Sequence, residues 1–264
     1  MMDSEYSRRF AGIQRLYGQK AFSKITNSHV CVIGIGGVGS WVAESLARSA
    51  IGQITLIDLD HIAESNINRQ IHSLNETLGQ SKILAMQERI LSINPNCETN
   101  LIDDHISIEN IPKIFNQHFD FIVDCIDQFR IKAELIHYCR SNKRKLITIG
   151  GAGGRVDPMH IKVADLARAE GDALLAKIRK QLRTHHGFSR NLHRRFDIPC
   201  VYSTEQLRYP TDDSEISTDK NQCTNLSGLN CANGFGSLTA VTASFGMIAS
   251  AYVLNYLSKA KVDS

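Results

Sequence analysis

A glycine-rich stretch near the start of the chain has the composition and spacing of a nucleotide-binding loop. Gly34, Gly36, Gly37 and Gly39 follow a short apolar run and precede a helix-forming stretch. Glycine lets the backbone turn sharply and approach a phosphate closely, and the free N–H groups of the following helix attract the anion. Taken alone, the loop fits NAD as well as ATP. A tight turn that binds nothing is the alternative interpretation.

Two carboxylates stand about 20 residues beyond this loop, at the end of the next predicted strand. They are Asp58 and Asp60. A carboxylate in this place accepts hydrogen bonds from ribose hydroxyls. We therefore predict that an acid of this pair binds the sugar of the nucleotide.

Further along the chain, two cations and an acid favour ATP over NAD as the ligand. Arg69 and Lys82 can offset negative charge on an α-phosphate and on departing pyrophosphate. Asp127 lies at the end of another predicted strand and can hold Mg²⁺. Each residue also has an ordinary interpretation: the cations as solvated surface charges, and Asp127 as the cap of a helix that begins near Phe129. The ordered set favours a triphosphate.

The elements that must position these residues alternate between strand and helix. The pattern predicts strands over 29–35, 53–60, 97–103, 120–127 and 145–151, and helices over 38–50, 81–93, 108–118 and 131–142. This alternation predicts an α/β fold, in which a Rossmann-like, mainly parallel sheet carries helices on both faces.

The second half of the sequence is less regular. It predicts an extended segment over 155–166, an amphipathic helix over 171–185, a long mobile crossover loop over 204–230, and an apolar helix after Gly236. We expect one domain over 1–264, with an N-terminal arm over 1–27. The segment 234–257 is also long enough to span a bilayer, but its Gly, Ser and Thr residues favour a buried helix of a globular protein.

Composition narrows the class of protein. The chain has 264 residues, 42% of them hydrophobic, and a formal net charge of +3, which argues against a disordered chain. Its seven cysteines include no CxxC pair, so a zinc ribbon and a complete disulfide framework are not expected. The N-terminal residues lack the apolar stretch of a signal peptide, and we predict a cytoplasmic protein.

Five motifs occur in a fixed order: GxGGVGS, LIDLD, SNxxRQ, GQxK and DCxD. In this order they resemble the ATP-dependent adenylating family that activates ubiquitin and bacterial sulfur-carrier proteins. The resemblance implies the adenylation fold of that family, with ATP and Mg²⁺ as cofactors. It also implies roles for single residues: ribose binding by Asp60, phosphate contacts by Asn66, Arg69 and Lys82, and Mg²⁺ binding by Asp127. Arg15, in the segment RLYG, resembles an arginine that reaches the ATP site of the partner in a homodimer.

Beyond residue 150 the chain resembles a tRNA-modifying branch of the same family. The resemblance rests on GGAGGRVDP (150–158), KIRKQLR (177–183), VYSTEQLRYP (201–210) and NCANGFGS (230–237). It implies that ATP activates the threonyl carboxylate of N6-threonylcarbamoyladenosine beside the anticodon, and that the side chain then cyclises with net loss of water. It also implies tRNA as a partner, a sulfur-transfer system with a cysteine desulfurase as a further one, and no zinc.

A basic run and a cysteine complete the candidate residues. Seven Lys or Arg residues and no acid lie between Lys177 and Arg195, which suits a surface that neutralises RNA phosphates. The alternative is the solvated face of an amphipathic helix. Cys231 lies between the predicted loop and a glycine-opened helix, where it could accept the acyl group from AMP, or else be an inert packed thiol.

Four functions therefore compete. They are a tRNA-modifying ATP-dependent enzyme, an adenylating enzyme for the C-terminus of a ubiquitin-like sulfur carrier, an NAD-dependent dehydrogenase and a non-enzymatic nucleotide sensor. The absence of CxxC pairs and the basic run favour the first over the second. Arg69, Lys82 and Asp127 favour it over the third, and Cys231 and the basic run favour it over the fourth.

Overall fold

A seven-stranded sheet forms the centre of the protein. In this computed structural model the described residues are 4–211, 215–219 and 236–259. The strands are β1 (His29–Ile33), β2 (Gln53–Ile57), β3 (Glu98–Ile102), β4 (Phe121–Asp124), β5 (Leu146–Ile149), β6 (Ile161–Asp165) and β7 (Pro199–Ser203). Their order in the sheet is β3-β2-β1-β4-β5-β7-β6, and only β6 pairs antiparallel with its neighbour. The inner strands are short apolar runs buried on both faces, as a parallel sheet between helices requires.

Helices cover both faces of this sheet. One face carries α2 (Gln19–Thr26), α3 (Gly39–Arg48), α4 (Lys82–Ile93) and α8 (Thr239–Lys259). The other carries α5 (Ile111–Ile114), α6 (Phe129–Ser141) and α7 (Ala173–His185), while α1 (Ser4–Tyr17) packs on α2. The predicted fold class, a mainly parallel sheet with helices on both faces, is confirmed.

The largest departure from the predicted elements lies after α7. Residues 199–203 form β7, which pairs with β5 and β6, although the sequence analysis assigns no strand there. A strand of five residues beside a long polar and basic stretch gives little periodicity to recognise. Within the predicted crossover loop, β8 (Tyr209–Pro210) and β9 (Ile216–Ser217) form a small antiparallel pair.

The apolar helix α8 is the one described helix that is long and apolar enough to cross a membrane, and half of its most apolar window is buried inside the protein. It crosses α3 closely, because a Cβ on Gly246 would lie 2.8 Å from Trp41 Cβ and 2.8 Å from the Val38 carbonyl oxygen. Ser250 and Ser45 join the two helices by a hydrogen bond of 2.7 Å. Packing against α3 thus accounts for its apolar composition.

The two ends of the sheet carry different loops. We call the end where the parallel strands finish the carboxyl edge, and the opposite end the amino edge. At the carboxyl edge, the carboxylate of Asp172 before α7 accepts the Gly151 N–H that follows β5, at 3.0 Å. At the amino edge, Arg140 near the end of α6 lies 3.8 Å from Asp197, just before β7. Helices α6 and α7 therefore both run from the carboxyl edge to the amino edge.

Candidate nucleotide-binding site

The glycine loop connects β1 to α3 at the carboxyl edge. Gly34 has a φ of +82°, and a Cβ on Gly39 would lie 1.8 Å from the Gly34 carbonyl oxygen. Neither position therefore tolerates a side chain in this conformation. Gly34 also packs on the backbone of Cys125, which follows β4. The loop is thus held in place between β4 and α3, with the N-terminus of α3 directed to the space above the sheet.

Asp58 and Asp60, the two acids after β2, have different surroundings. Asp58 accepts hydrogen bonds from the backbone N–H groups of Ile35 (2.6 Å) and Asp60 (2.8 Å), and so ties the end of β2 to the glycine loop. Burial raises the pKa of its carboxyl, although Lys82 and the two N–H groups oppose this shift. Asp60 has a side chain that is 71% exposed. Asp60 is therefore the accessible acid of the pair, and the ribose contact implied for it stays a prediction.

Lys82 is the first residue of α4 and is not a solvated surface charge. Its side chain is 7% exposed, and its Nζ lies 2.6 Å from Asp60 Oδ2. The Lys82 N–H donates to the Asp60 carbonyl at 3.0 Å, so the same two residues are joined twice. The fold thus fixes an ammonium group beside the carboxylate predicted to bind ribose.

Arg69 lies directly against the glycine loop. A Cβ on Gly37 would be 3.2 Å from the Arg69 Cγ and Cδ atoms, so the arginine stem covers that glycine. Its Nη1 donates to the Ser65 carbonyl at 2.5 Å and to Asn68 Oδ1 at 2.9 Å. Trp41 Nε1 donates to the Arg69 carbonyl at 3.0 Å. Packing and hydrogen bonds thus hold this cation next to the loop.

Asn66 shapes the turn that presents Arg69. It is buried, and its Oδ1 accepts the Ala63 N–H at 3.1 Å. Its carbonyl accepts the N–H groups of Arg69 and Gln70 at 3.1 and 3.0 Å. These contacts position the turn, whereas the phosphate contact that the resemblance implies for Asn66 stays a prediction.

Asp124 and Asp127, the two acids of the DCxD motif, differ in their exposure to solvent, as do the two acids after β2. Asp124 is buried, and its Oδ2 lies 2.9 Å from Lys132 Nζ and 2.7 Å from Thr148 Oγ1. Asp127 is exposed, and its carboxylate makes no hydrogen bond or ion pair with any described residue. It does not cap α6, whose N-cap residue is Gln128. Asp127 is thus the acid of this motif that is available to a ligand.

Lys132 is a site residue that the sequence analysis misses. Its ammonium group is fully buried and donates to the carbonyls of Asp124 and Ile126, both at 2.9 Å. These bonds hold the turn that carries Asp127. A signal was present, because Lys132 shares the inward stripe of α6 with Leu135, Ile136 and Cys139, three and more residues apart. A lysine on such a stripe must have a buried partner.

The described residues do not place Arg15 at this site. Arg15 is exposed near the end of α1, in the part of the chain whose Tyr17 contacts Asn255 on α8 at 3.5 Å. That part lies toward the amino edge, roughly the length of α3, or about 15 Å, from the glycine loop. Cys231 lies outside the described residues. Their roles in catalysis stay predictions.

The basic run forms the outer face of α7 and the loop that follows it. Leu175, Ile178 and Leu182 face the core, which leaves the cations on the other side. Arg179, Lys180, Arg183 and Arg190 line a cavity of about 400 Å³. Burial, followed by the charge of Arg183, lowers the pKa of Arg179. These four cations thus lie around one cavity.

Comparison with known proteins places these features in a family. The sequence model described as the ThiF family matches residues 6–263. The tRNA threonylcarbamoyladenosine dehydratase of Haemophilus influenzae is 48% identical over 256 residues, which cover 97% of this chain and 95% of that protein.

Two crystal structures of E. coli tRNA N6-threonylcarbamoyladenosine dehydratase are also similar. One is a complex with ATP and the other a complex with AMP. Each is 40% identical to this chain, with a TM-score of 0.85 and coverage of 97% of this chain. The matches cover 96% and 97% of those two chains. The similarity therefore spans the glycine loop, α7 and α8 together.

Proposed function

The chain belongs to the ThiF family, and we infer that it is an ATP-dependent tRNA threonylcarbamoyladenosine dehydratase. The observation that carries this inference is the 48% identity to such an enzyme over almost the full length of both proteins. The geometry of the carboxyl edge supports it, because a glycine loop, two fixed cations and two accessible acids lie together there. An NAD-dependent dehydrogenase would have no use for Arg69 and Lys82.

We propose that the first step is adenylation of the substrate carboxylate. The threonyl carboxylate of N6-threonylcarbamoyladenosine attacks the α-phosphate of ATP, which gives an acyl-adenylate and releases pyrophosphate. Gly34, Gly36, Gly37 and Gly39 let the phosphates approach the N-terminus of α3. Arg69 and Lys82 offset the charge that develops on the α-phosphate and on the pyrophosphate. For this, Lys82 Nζ has to share its contact with Asp60 or exchange it for a phosphate oxygen.

In the second step the threonylcarbamoyl side chain cyclises. A nitrogen of the carbamoyl group attacks the activated carbonyl and AMP leaves, so that the net change is loss of water. We propose that Cys231 first accepts the acyl group as a thioester, which the nitrogen then attacks. Direct attack on the adenylate is the alternative, and the adenylation step is the same in both.

Mg²⁺ fits the acid that the structure leaves accessible. This ion prefers oxygen ligands and is often held by one or two carboxylates together with substrate phosphates. Asp127 provides one such carboxylate. Among the described residues no group of three or more His, Cys, Asp or Glu side chains is placed to hold a metal, so the remaining ligands would come from the substrate phosphates and water. Mg²⁺ would neutralise phosphate charge, while Lys132 holds the turn that presents Asp127.

We propose that the enzyme acts as a homodimer in which Arg15 contacts the nucleotide bound by the partner. Arg15 lies toward the amino edge of its own subunit, so its own glycine loop is out of its reach. An arginine from a second copy would add a third cation to the phosphates.

The substrate and compartment follow from the same inference. We propose that the cations on α7 bind the tRNA phosphates and that the enzyme works in the cytoplasm on finished tRNA. We further propose one adenylating domain over 1–264, and a cysteine-desulfurase system as a sulfur-transfer partner.

One experiment tests the activity. Nucleosides from the tRNA of a strain that lacks this gene are analysed by mass spectrometry, with the intact gene and an Asp127→Asn variant restored on a plasmid. We expect the cyclised nucleoside to be absent without the gene and to return only with the intact one. If the cyclised nucleoside persists and a sulfur-carrier protein accumulates without its activated C-terminus, the sulfur-carrier function is correct instead.

A further inference from the structure

A second cavity lies at the amino edge, on the opposite side of the fold from the glycine loop. Its volume is about 440 Å³, and its lining includes His137 and Arg140 from α6, His186 after α7, and Arg194 and Arg195 before β7. His137 and Arg140 lie outside the basic run of the sequence. Helix α6 and the segment between α7 and β7 thus bring cations from separate parts of the chain together.

Arg140, Arg194 and Arg195, the three arginines of this cavity, keep their hydrogen-bond donors available. None of their guanidinium groups donates a hydrogen bond to a described residue. The nearest carboxylates are those of Asp197, 3.8 Å from Arg140 and 3.7 Å from Arg195, and Asp165, 3.7 Å from Arg195. These distances exceed a hydrogen bond, so the acids attract the arginines without occupying their N–H groups.

Two aromatic rings line this cavity, and one of them restrains Arg140. Phe188 and Phe196 meet edge to face with ring centroids 4.9 Å apart, and both are buried. The Arg140 guanidinium lies 5.3 Å from the Phe188 centroid, and that of Arg183 lies 5.4 Å from the Phe196 centroid. Cation–π contacts hold the guanidinium carbon and leave the edge of the fork open. Phe188 therefore orients the Arg140 guanidinium with its N–H groups open to an oxyanion.

The histidines form one wall of the cavity. His137 and His186 stack with centroids 4.4 Å apart, and His186 Nε2 lies 3.0 Å from Glu134 Oε1. The hydrogen bond to Glu134 fixes the ring of His186 and, through the stack, that of His137. This wall thus adds ordered nitrogen groups beside the arginines.

We propose that this cavity binds a backbone phosphate of the substrate tRNA, remote from the nucleotide that is modified. The proposal rests on the tRNA substrate inferred above and names a contact for it. Arginines with free, oriented N–H forks match the oxygens of a phosphodiester. The segment after α7 that lines this cavity also supplies Arg190 to the neighbouring cavity of Arg179 and Lys180, so one RNA backbone can follow both.

The length of α7 sets the separation between this cavity and the chemistry. Its 13 residues begin beside Gly151 at the carboxyl edge and end at the cavity, which corresponds to about 20 Å. A phosphate bound there belongs to a part of the tRNA well away from the modified adenosine. The contact contributes affinity and orientation and does not take part in adenylation.

The test compares an Arg140→Gln/Arg195→Gln variant with a Lys20→Gln control, whose exposed cation lies on α2 at the other face of the sheet. We expect the double variant to bind full-length tRNA on the order of tenfold more weakly and to lower the slope of log affinity against log salt by about 1 to 2. The affinity for ATP and the kcat at saturating tRNA should equal those of the control.

Arg194→Gln provides a second variant that removes no described side-chain contact and so leaves the fold intact. It should weaken tRNA binding several-fold. Equal tRNA affinity and equal salt slope for all these variants and the control would overturn the proposal. If instead the wild type binds tRNA through these arginines but cyclises nothing, the cavity assignment stands and the dehydratase function fails.

Discussion

Lys132 Nζ lies 2.9 Å from Asp124 Oδ2, and neither side chain is exposed to solvent. The same ammonium group donates to the carbonyls of Asp124 and Ile126. One buried cation therefore neutralises a strand-end acid and fixes the turn that carries Asp127.

Lys132→Met should lower the free energy of unfolding by about 3–5 kcal/mol, because it leaves the Asp124 carboxylate buried without a partner. Urea unfolding followed by circular dichroism measures this. The double variant Lys132→Met/Asp124→Asn removes both charges and should recover part of the loss. A single variant within 1 kcal/mol or so of the wild type would contradict the importance of the pair.

Gly39→Ala should abolish ATP binding, since the new Cβ would lie 1.8 Å from the Gly34 carbonyl oxygen and the loop would have to move. We expect ATP affinity to fall at least about 100-fold in calorimetric titration. Gly12→Ala is the matched control, because nothing lies within 4 Å of its Cβ position on α1. That change should leave ATP binding intact and stabilise the helix by roughly 0.5–1 kcal/mol. Unchanged ATP affinity in Gly39→Ala would rule out this loop as the phosphate site.

Variants of Asp127 and Cys231 should affect different chemical steps: Asp127 is needed for adenylation, and Cys231 for the cyclisation that follows it. Asp127→Asn should lose pyrophosphate exchange into ATP by a factor of about 100 or more, because Mg²⁺ and phosphate binding precede adenylation. Cys231→Ser should keep this exchange when modified tRNA is present and form little cyclised product, since serine is a far weaker nucleophile.

Two controls accompany these variants. Asp103→Asn removes an exposed acid that follows β3 at the same edge of the sheet and should leave exchange unchanged. Cys223→Ser, eight positions before Cys231, should cyclise normally. A Cys231→Ser enzyme that cyclises at the wild-type rate would show that the carbamoyl nitrogen attacks the adenylate directly.

Arg15→Ala and Asp127→Asn subunits should each be inactive alone and should complement each other when mixed. In a mixed dimer one site combines an intact Asp127 with the partner's intact Arg15. Random mixing then predicts about one quarter of wild-type activity. Full activity of Arg15→Ala alone, or a monomer in sedimentation at the assay concentration, would exclude an arginine supplied in trans.

Stability should depend on pH through His72. Burial, followed by the charges of Lys82 and Arg89, lowers its pKa to about 4, and its ring nitrogens have no hydrogen-bond partner among the described residues. The unfolded chain has the higher pKa and binds this proton first. Stability is therefore lost as the pH falls from about 6.5 to 4, by at most ~1.4 kcal/mol per unit.

The difference between wild type and His72→Phe isolates this effect. The variant keeps a planar ring and cannot bind the proton, whereas all other groups titrate in both proteins. Unfolding free energies at pH 7 and pH 5 should show the wild type losing more stability than the variant. Equal losses would assign the acid sensitivity to other groups.

The accessible site acids were predictable from the sequence because their positions follow from periodicity and motif order. Apolar runs fix where β1, β2 and β4 end, and chemistry-bearing residues at those ends must meet at one edge. Asp60 and Asp127 are both exposed at that edge, and their contacts to ribose and Mg²⁺ stay predictions. Which acid of each pair is turned inward depends on tertiary partners, such as the Ile35 N–H for Asp58 and Lys132 for Asp124.

Features formed between distant segments were not predictable in this way. The strand β7 has its partners β5 and β6 on either side in the sheet, and five residues of alternation do not reveal that placement. The amino-edge cavity joins Arg140 of α6 to Arg195, and their proximity depends on how α6 packs against α7. Sequence spacing describes neighbours along one element and not the contacts between two.

The close crossing of Gly246 over Trp41 has a consequence for biosynthesis. All of the motifs proposed to bind the nucleotide are translated by residue 127, yet α8, which covers part of the apolar face of α3, lies near the other end of the chain. Until α8 has left the ribosome, the apolar residues of α3 that it covers stay exposed in the nascent chain. Such a long-range contact should slow folding and leave the unfinished chain prone to aggregation.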